Sequence, residues 1–355
     1  MRSRVWGGTA AVVLGGLLAA GCGGEEKETA GTTAGKAVSG DYPVSVTDCA
    51  GAETTFSAAP KKIVTSNASS LELLLRLGAG DKVIGTGFPP GEGTLTGALD
   101  AQAQKVKVLS QSVIPKEKLL GSGADLYIDT FASMGGMGNG MGDTPTAEEF
   151  KAAGISHIYL KSTACAAQSK SAVTDLSAVE ADITSLGAVT GTSAKANELV
   201  AGMKRKVAAV RKAVGTTAES ERPTYFLFDY DSGTKQPTVI CNRQVANAVI
   251  TLAGARNAFA DCDADYKQVG WEDVIAKNPD WIQLAVRNRG SDAANEKAFD
   301  EAEKWLKSNA ATEGLTAVKE GHFLRIGSEQ TTIAGVQNAD TVEEIAKTLY
   351  PGKVG

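Results

Sequence analysis

The sequence predicts an α/β protein in which one long rigid helix joins two lobes. The helix is predicted over Ser193–Val214, where apolar residues recur every three or four positions and basic residues occupy the other side. Ser193 is its predicted N-cap and Gly215 its C-terminal stop. At ~1.5 Å per residue it spans roughly 33 Å, about the width of a small domain. The stretches on both sides alternate short strands with helices, which indicates a Rossmann-like lobe on each side and a cleft between them.

The N-terminal residues have the pattern of an export signal followed by a tether. Arg2 and Arg4 precede an apolar run that is too short to span a bilayer, and small residues lead into Cys22. This pattern resembles a bacterial lipoprotein signal at residues 1–21, after which the cysteine is lipidated and anchors the chain to the membrane. Residues 22–40 contain mostly Gly, Thr, Glu and Ala and predict a flexible tether.

The cysteine count and the net charge limit which kinds of bond and partner the protein can have. Four of the five cysteines lie beyond the signal, and an even number in an exported chain suggests disulfides. If each lobe is self-contained, the pairs are Cys49–Cys165 and Cys241–Cys262, and the other two connectivities remain open. The formal net charge is −5 and no basic stripe is present, so we expect no nucleic-acid partner.

The first lobe is predicted over residues 41–190. Its predicted elements are a hairpin at 42–56, strands at 62–65, 83–85 and 157–160, helices at 71–77 and 173–186, and a helix that runs into a strand at 116–128. A glycine-rich loop follows residue 133 and carries three methionines, whose flexible thioethers can repack around a ligand. The other interpretations are a mobile loop with no ligand role and a Cu(I) thioether site, which the lack of a nearby histidine or cysteine disfavours.

The second lobe is predicted over residues 217–355, after a bridging segment at 191–216, and it contains an echo of the first lobe. Glu117 and Glu272 each open a predicted helix, two apolar residues follow, and an aspartate (Asp125 or Asp280) stands eight positions after the glutamate, just before a strand. The repeat predicts two lobes built alike, with one glutamate at a corresponding corner of each.

Several ordered stretches resemble the substrate-binding lipoproteins of bacterial ABC importers for iron–siderophore complexes, cobalamin and haem. The stretches that carry this resemblance are residues 44–52, 60–64, 71–78, 123–126 and 271–280. The resemblance covers about residues 41–350 and implies helix-bridged lobes, a small closure motion and a lipid-tethered receptor. It also implies that Glu117 and Glu272 face arginines of the permease. Gly123-Ala124 departs from the family, which usually has a proline before the aspartate.

The sequence leaves the ligand's identity open but restricts its chemistry. His157 and His322 lie on predicted strands and are interpreted as structural, so we expect no resident metal or cofactor. Any iron would arrive chelated, as an Fe³⁺ complex that aromatic faces, cations and loop polar groups at strand ends recognise. The predicted ligand-binding residues are Asn67, Phe88, Gln111, Thr130, Phe131 and Met134 in the first lobe and Tyr230, Arg243, Tyr266 and Arg287 in the second.

Together these features predict a monomeric, extracytoplasmic, lipid-anchored receptor that captures a ferric siderophore for an ABC permease. The same scaffold binding a corrinoid, haem or another bulky cofactor is the alternative. A secreted hydrolase is the alternative from a different class. Against it, the sequence has no G-x-S-x-G elbow, no histidine near a plausible nucleophile and no phosphate loop.

Overall fold

A computed structural model describes residues 42–91, 94, 95, 97–130, 144–168, 170–215 and 217–354. The predicted lipidation site Cys22 and the predicted ligand-binding residues Phe131 and Met134 lie outside these residues. Within the described residues, no helix combines the length and the apolar character that crossing a bilayer requires.

The chain before the long helix builds one parallel sheet. Its elements are β1 (Val44–Thr47), β2 (Glu53–Phe56), β3 (Ile63–Thr65), α1 (Ala68–Arg76), β4 (Val83–Thr86), α2 (Ala98–Ala103), α3 (Lys116–Leu120), β5 (Leu126–Asp129), α4 (Ala147–Ala152), β6 (Ser156–Tyr159), α5 (Lys161–Ala164) and α6 (Ser177–Thr190). Strands β1 and β2 form the predicted hairpin, and the other four lie in the order β4-β3-β5-β6, all parallel. The sheet's central strands are short apolar runs and are buried on both faces, as parallel strands are.

The long helix and a second parallel sheet follow. Their elements are α7 (Ser193–Val214), β7 (Thr224–Asp229), β8 (Thr238–Ile240), α8 (Val245–Leu252), β9 (Arg256–Asn257), β10 (Tyr266–Gln268), α9 (Trp271–Lys277), β11 (Trp281–Ala285), α10 (Asp292–Ser308), α11 (Thr316–Glu320), β12 (Phe323–Arg325), α12 (Ser328–Thr332) and α13 (Gln337–Leu349). Four strands lie in the order β12-β11-β7-β9, all parallel, while β8 and β10 pair antiparallel beside them.

The two sheets have the same topology. Numbered in chain order, the four strands of each parallel sheet lie in the order 2-1-3-4. The sequence echo falls on the same part of each sheet, because α3 leads into the third strand β5 and α9 leads into the third strand β11. The predicted fold class, two α/β lobes with one long helix between them, is confirmed. The exact boundaries at residues 41–190, 191–216 and 217–355 stay predictions.

The echoed aspartates make the same contact in each lobe. Asp125 accepts hydrogen bonds from the backbone N–H groups of Lys61 (2.8 Å) and Lys62 (2.9 Å), just before the first strand of its sheet. Asp280 accepts from the N–H of Thr224, the first residue of β7, at 2.7 Å. Each aspartate therefore ties the start of the third strand to the start of the first.

Helix α7 occupies the predicted residues and contacts both lobes. It packs against α6 on one side and against α13 and α8 on the other, and its buried residues Ala196, Met203, Val210 and Val214 recur at steps of seven or four. Gly215, with φ 74°, ends the helix as predicted.

The predicted N-cap of α7 is wrong. Ser193 is already helical, and the preceding Thr192 makes no side-chain cap. The reason is the tight turn from α6: Thr192 donates its N–H to the carbonyl of Gly187 at 2.7 Å, so the end of one helix sets the start of the next. A Cβ on Gly187 would overlap that of Ala196, so glycine permits this close approach.

Helix α6 begins four residues later than the sequence predicts. The backbone N–H of Val173 donates to the carbonyl of Asn242 at 2.7 Å, and the Asn247 side chain donates to the carbonyl of Val173 at 3.0 Å. Because both polar groups of Val173 are bonded to the second lobe, this residue cannot belong to a helix of the first.

The cysteines are bonded within each half of the chain. Cys49, in the β1–β2 turn, is joined to Cys165, which follows α5, and the Cα atoms are 5.3 Å apart. Cys241, which follows β8, is joined to Cys262 with Cα atoms 5.1 Å apart. Neither bond crosses α7.

Candidate functional site

A cavity of about 690 Å³ lies between the two lobes. Its walls come from the segments that follow β3 and β4 in the first lobe and β11 and β12 in the second. The residues that line it include Asn67, Ala68, Ser69, Glu72, Phe88, Val286, Asn288, Asp292, Asn295, Phe299, Arg325, Glu329, Gln330, Ile333 and Gln337. The carboxyl ends of parallel strands are the usual place for ligands in α/β proteins, and the volume is in the range of small-molecule sites, about 300–1,000 Å³.

The first-lobe wall is held in place by Asn67 and Phe88. The side-chain oxygen of Asn67 accepts from the N–H of Ser70 (3.1 Å) and so caps α1, while the side-chain NH2 group donates to the hydroxyl of Thr130 (2.8 Å). Phe88 has φ 32°, a left-handed conformation that is strained for an aromatic residue, and its carbonyl accepts the N–H of Ala68 at 2.9 Å. Both predicted residues line the cavity.

Thr130, also predicted, is only 3 % exposed and does not line the cavity. Its hydroxyl bonds to Ser66 at 3.0 Å and receives the Asn67 amide. Its role in the structure is to orient Asn67.

The lobes touch each other along one side of the cavity. The Ser69 hydroxyl donates to the carbonyl of Ala334 at 2.8 Å, and the Gln337 amide donates to both carboxylate oxygens of Glu72 at 2.8 Å. Glu72 also pairs with Arg76 at 2.6 Å. Helix α1 therefore contacts the α12–α13 segment directly, and both lobes contribute polar groups to the same wall.

One arginine lines the cavity among the described residues, and its charge is already neutralised. Arg325 pairs with Glu296 (2.7 Å), Asp300 (2.8 Å) and Glu303 (2.9 Å), all on α10. These bonds raise the pKa of Arg325 above its ordinary range, and the bond to Glu303 has the largest effect. Sequence reasoning missed this residue because it stands at the end of a short strand with no motif around it.

Two predicted second-lobe residues are committed to contacts outside the cavity. Arg243 pairs with Asp263 through two bonds, Nη2 at 2.6 Å and Nε at 2.9 Å. Tyr230 packs edge-on against Phe228, with ring centres 6.0 Å apart. Neither side chain lines the cavity.

Tyr266 is connected to the cavity wall indirectly, through Gln244. Its side chain is 48 % exposed, but its hydroxyl accepts from the Gln244 amide at 2.8 Å, and that amide also donates to the carbonyl of Thr332, next to the lining residue Ile333. Burial around the hydroxyl raises the pKa of Tyr266 to about 12, so the phenol stays protonated at neutral pH.

The remaining predicted residues are exposed. Gln111 and Arg287 do not line the cavity, although Val286 and Asn288 on either side of Arg287 do. Glu117 on α3 and Glu272 on α9 are exposed in the first turn of topologically equivalent helices. The ligand and docking roles of these residues stay predictions.

Both histidines pack against aromatic rings. His157 lies 4.4 Å, centre to centre, from the rings of Phe150 and Tyr159 and 3.2 Å from a carboxylate oxygen of Asp129. His322 stacks on Trp281 at 4.4 Å. Among the described residues, no three His, Cys, Asp or Glu side chains are grouped so that they could hold a metal ion.

Comparison with known proteins gives the family. The model of the periplasmic binding protein family matches residues 63–330. An uncharacterised ABC transporter substrate-binding lipoprotein of Bacillus subtilis, YvrC, is 25 % identical over 99 % of this chain and 98 % of its own length. A cobalamin-binding protein of Halobacterium salinarum is 25 % identical over 79 % of this chain and 69 % of its own length. The crystal structure of a periplasmic binding protein from Veillonella parvula is 27 % identical, with a TM-score of 0.71 over 87 % of this chain and 98 % of that one.

The family match spans most of both lobes and the helix between them. The fold agrees with it, because the matched residues include both parallel sheets and most of the residues that line the cavity between them. The chain belongs to the periplasmic binding protein family and is a substrate-binding protein of an ABC importer, not an enzyme.

Proposed function

We propose that the protein captures a ferric siderophore in the cavity between its lobes and delivers it to the permease. The lining of the cavity carries this proposal. Side-chain amides (Asn67, Asn288, Asn295, Gln330 and Gln337) alternate there with apolar groups (Phe88, Val286, Phe299 and Ile333). A hexadentate ferric hydroxamate is a compact body with a mixed surface of methylene and amide or carbonyl groups, and such a lining complements it.

The iron would be held by the chelator and not by the protein. No grouped metal ligands occur among the described residues, and the undescribed stretch 131–143 contains a single carboxylate and no His or Cys. Binding should therefore require the preformed complex.

Calorimetry on the mature protein tests this proposal. We expect submicromolar binding of a ferric trihydroxamate and much weaker binding of the same chelator without iron. The iron complex is already rigid, whereas the flexible iron-free chelator must lose conformational entropy when it binds. Ferric citrate, haemin and cyanocobalamin complete the panel. If one of these binds at submicromolar concentration and no ferric hydroxamate does, the siderophore proposal is wrong.

A corrinoid is the second candidate. Two observations favour it: the five amides of the lining, which suit the amide-bearing rim of a corrin ring, and the similarity to a cobalamin-binding protein. Haem has less support, because its propionates would meet the carboxylates of Glu72, Asp292 and Glu329.

Glu117 and Glu272 are the proposed permease contacts. Their support is exposure and the equivalent position of α3 and α9 in two lobes of the same topology. Two separated carboxylates would orient the receptor and speed its association with basic partners. Replacing both with arginine should reduce ligand uptake by cells while leaving ligand affinity unchanged. Glu219→Arg, at an exposed carboxylate before β7, is the control; an equal loss of uptake in that variant would refute the assignment.

Cys22 is the proposed lipid attachment site on the extracytoplasmic face of the membrane. The signal pattern before it and the lipoprotein description of the Bacillus relative support this. Cys22→Ala should move the protein from the membrane fraction to the soluble extracytoplasmic fraction. Retention in the membrane fraction would show a different anchor. Gel filtration of the mature domain tests the expected monomer.

A further inference from the structure

The charged groups on the cavity wall are mostly acidic. Glu72, Asp292 and Glu329 line it, and Arg325 is the one basic residue that does so among the described residues. The Arg325 guanidinium is bonded to three carboxylates of α10 at 2.7–2.9 Å. Turning it toward a ligand would leave those carboxylates without their cation, so it cannot serve an anionic ligand at low cost.

Two of the three carboxylates in the described lining have no basic partner among the residues that the structure describes. Among the described residues, no Lys, Arg or His forms an ion pair with Asp292 or Glu329. One Glu329 oxygen accepts the backbone N–H of Asn288 at 3.2 Å, a bond that leaves its charge in place. Glu72 is the exception, since Arg76 balances it.

The neighbouring arginines do not supply the missing positive charge. Arg289 is ion-paired with Asp231, and Arg287 lies outside the lining. The described lining of the cavity therefore carries net negative charge.

We infer that this cavity selects ligands by charge: it takes a positively charged or neutral chelate and rejects an anionic one. The inference rests on the proposed function and narrows it to ferric hydroxamates without free carboxylates, as opposed to citrate- or catecholate-type complexes. The physical reason is that the two unbalanced carboxylates, half-buried Glu329 and exposed Asp292, attract a cation and repel an anion.

A charge ladder built on one ligand tests the inference. The linear ferric trihydroxamate that ends in a free ammonium group is a monocation, its N-acetyl derivative is neutral, and its N-succinyl derivative is an anion. All three have the same iron coordination. In calorimetry at low salt we expect the cation to bind about tenfold tighter than the anion, with the neutral form between them. The spread should shrink as the ionic strength rises.

Substitutions then test whether the charge dependence of binding comes from the carboxylates that line the cavity. The double variant Asp292→Asn, Glu329→Gln keeps size and hydrogen bonding while removing both charges. It should reduce the difference in affinity between the cationic and the anionic ligand to less than about threefold. Glu219→Gln, at an exposed carboxylate outside the lining, is the matched control and should leave the ladder unchanged.

The outcomes separate this inference from the proposed function. If the protein binds ferric hydroxamates but binds the anion as tightly as the cation, or more tightly, charge selection alone is overturned. If only corrinoids bind, the same ladder is run with aquo-, cyano- and monocarboxylate cobalamins, and a preference for the anion again overturns it. If neither scaffold binds, both the proposed function and the charge selection are wrong.

Discussion

The paired aspartates at the strand starts offer a test of the twin architecture. Asp125→Ala removes the acceptor of the Lys61 and Lys62 N–H groups, and Asp280→Ala removes that of Thr224. A hydrogen bond to a charged group contributes about 1.5–3 kcal/mol. These bonds are exposed, so we take the lower end and expect about 1.5–2 kcal/mol for each variant, which corresponds to a local opening increased about tenfold to thirtyfold.

Hydrogen exchange read by mass spectrometry measures that opening at the amides concerned. In Asp125→Ala, exchange should accelerate in the peptide with Lys61 and Lys62 and stay unchanged around Thr224. Asp280→Ala should do the reverse. The Asp→Asn variants keep an acceptor oxygen and should show a smaller effect. If only one lobe responds, or if each variant perturbs the other lobe equally, then the two aspartates are not equivalent and the shared design of the lobes is refuted.

Three further results are expected from denaturation experiments. Replacing Cys49 and Cys165 by alanine frees a loop with a sequence separation of 116 and should cost about 5 kcal/mol by the chain-entropy relation, measured by urea unfolding. The same change at Cys241 and Cys262, with a separation of 21, should cost about 3 kcal/mol, and the opposite order would contradict the relation. Burial raises the pKa of Asp182 from 3.8 to about 6, so its stabilising contribution is complete below pH 3.8 and is lost as the pH rises through 6. The stability of the wild type relative to Asp182→Asn should therefore fall by about 3 kcal/mol across that window, and a difference that does not change with pH would refute the shift.

Features set by local periodicity were predictable from the sequence. The bridging helix was found over the predicted residues because its pattern persists for six turns. The echo around Asp125 and Asp280 was visible because it combines a helix start with a strand start. Errors arose where contacts outside the helix itself decided its start. Val173 is bonded to the second lobe, and Thr192 is bonded to the last turn of α6.

The site was predictable only in part, because the sequence shows which residues follow strands but not which way they face. Asn67 and Phe88 follow β3 and β4 and do line the cavity. Just after β11, Val286 and Asn288 line the cavity while the predicted Arg287 between them does not. Arg325 was invisible to sequence reasoning, since its environment is made by a helix that precedes it by more than twenty residues.

The central claim is that the ligand occupies the cavity between the lobes. Ala68 lines that cavity and is half-buried, so Ala68→Trp places an indole inside it, while Ala194→Trp places the same group on the exposed side of α7 as a control. Calorimetry with the tightest ligand should show Ala68→Trp weakening binding by about thirtyfold, the effect of roughly 2 kcal/mol of overpacking, with an unchanged melting temperature and an unaffected control. Wild-type affinity in a folded Ala68→Trp protein would show that the ligand binds elsewhere.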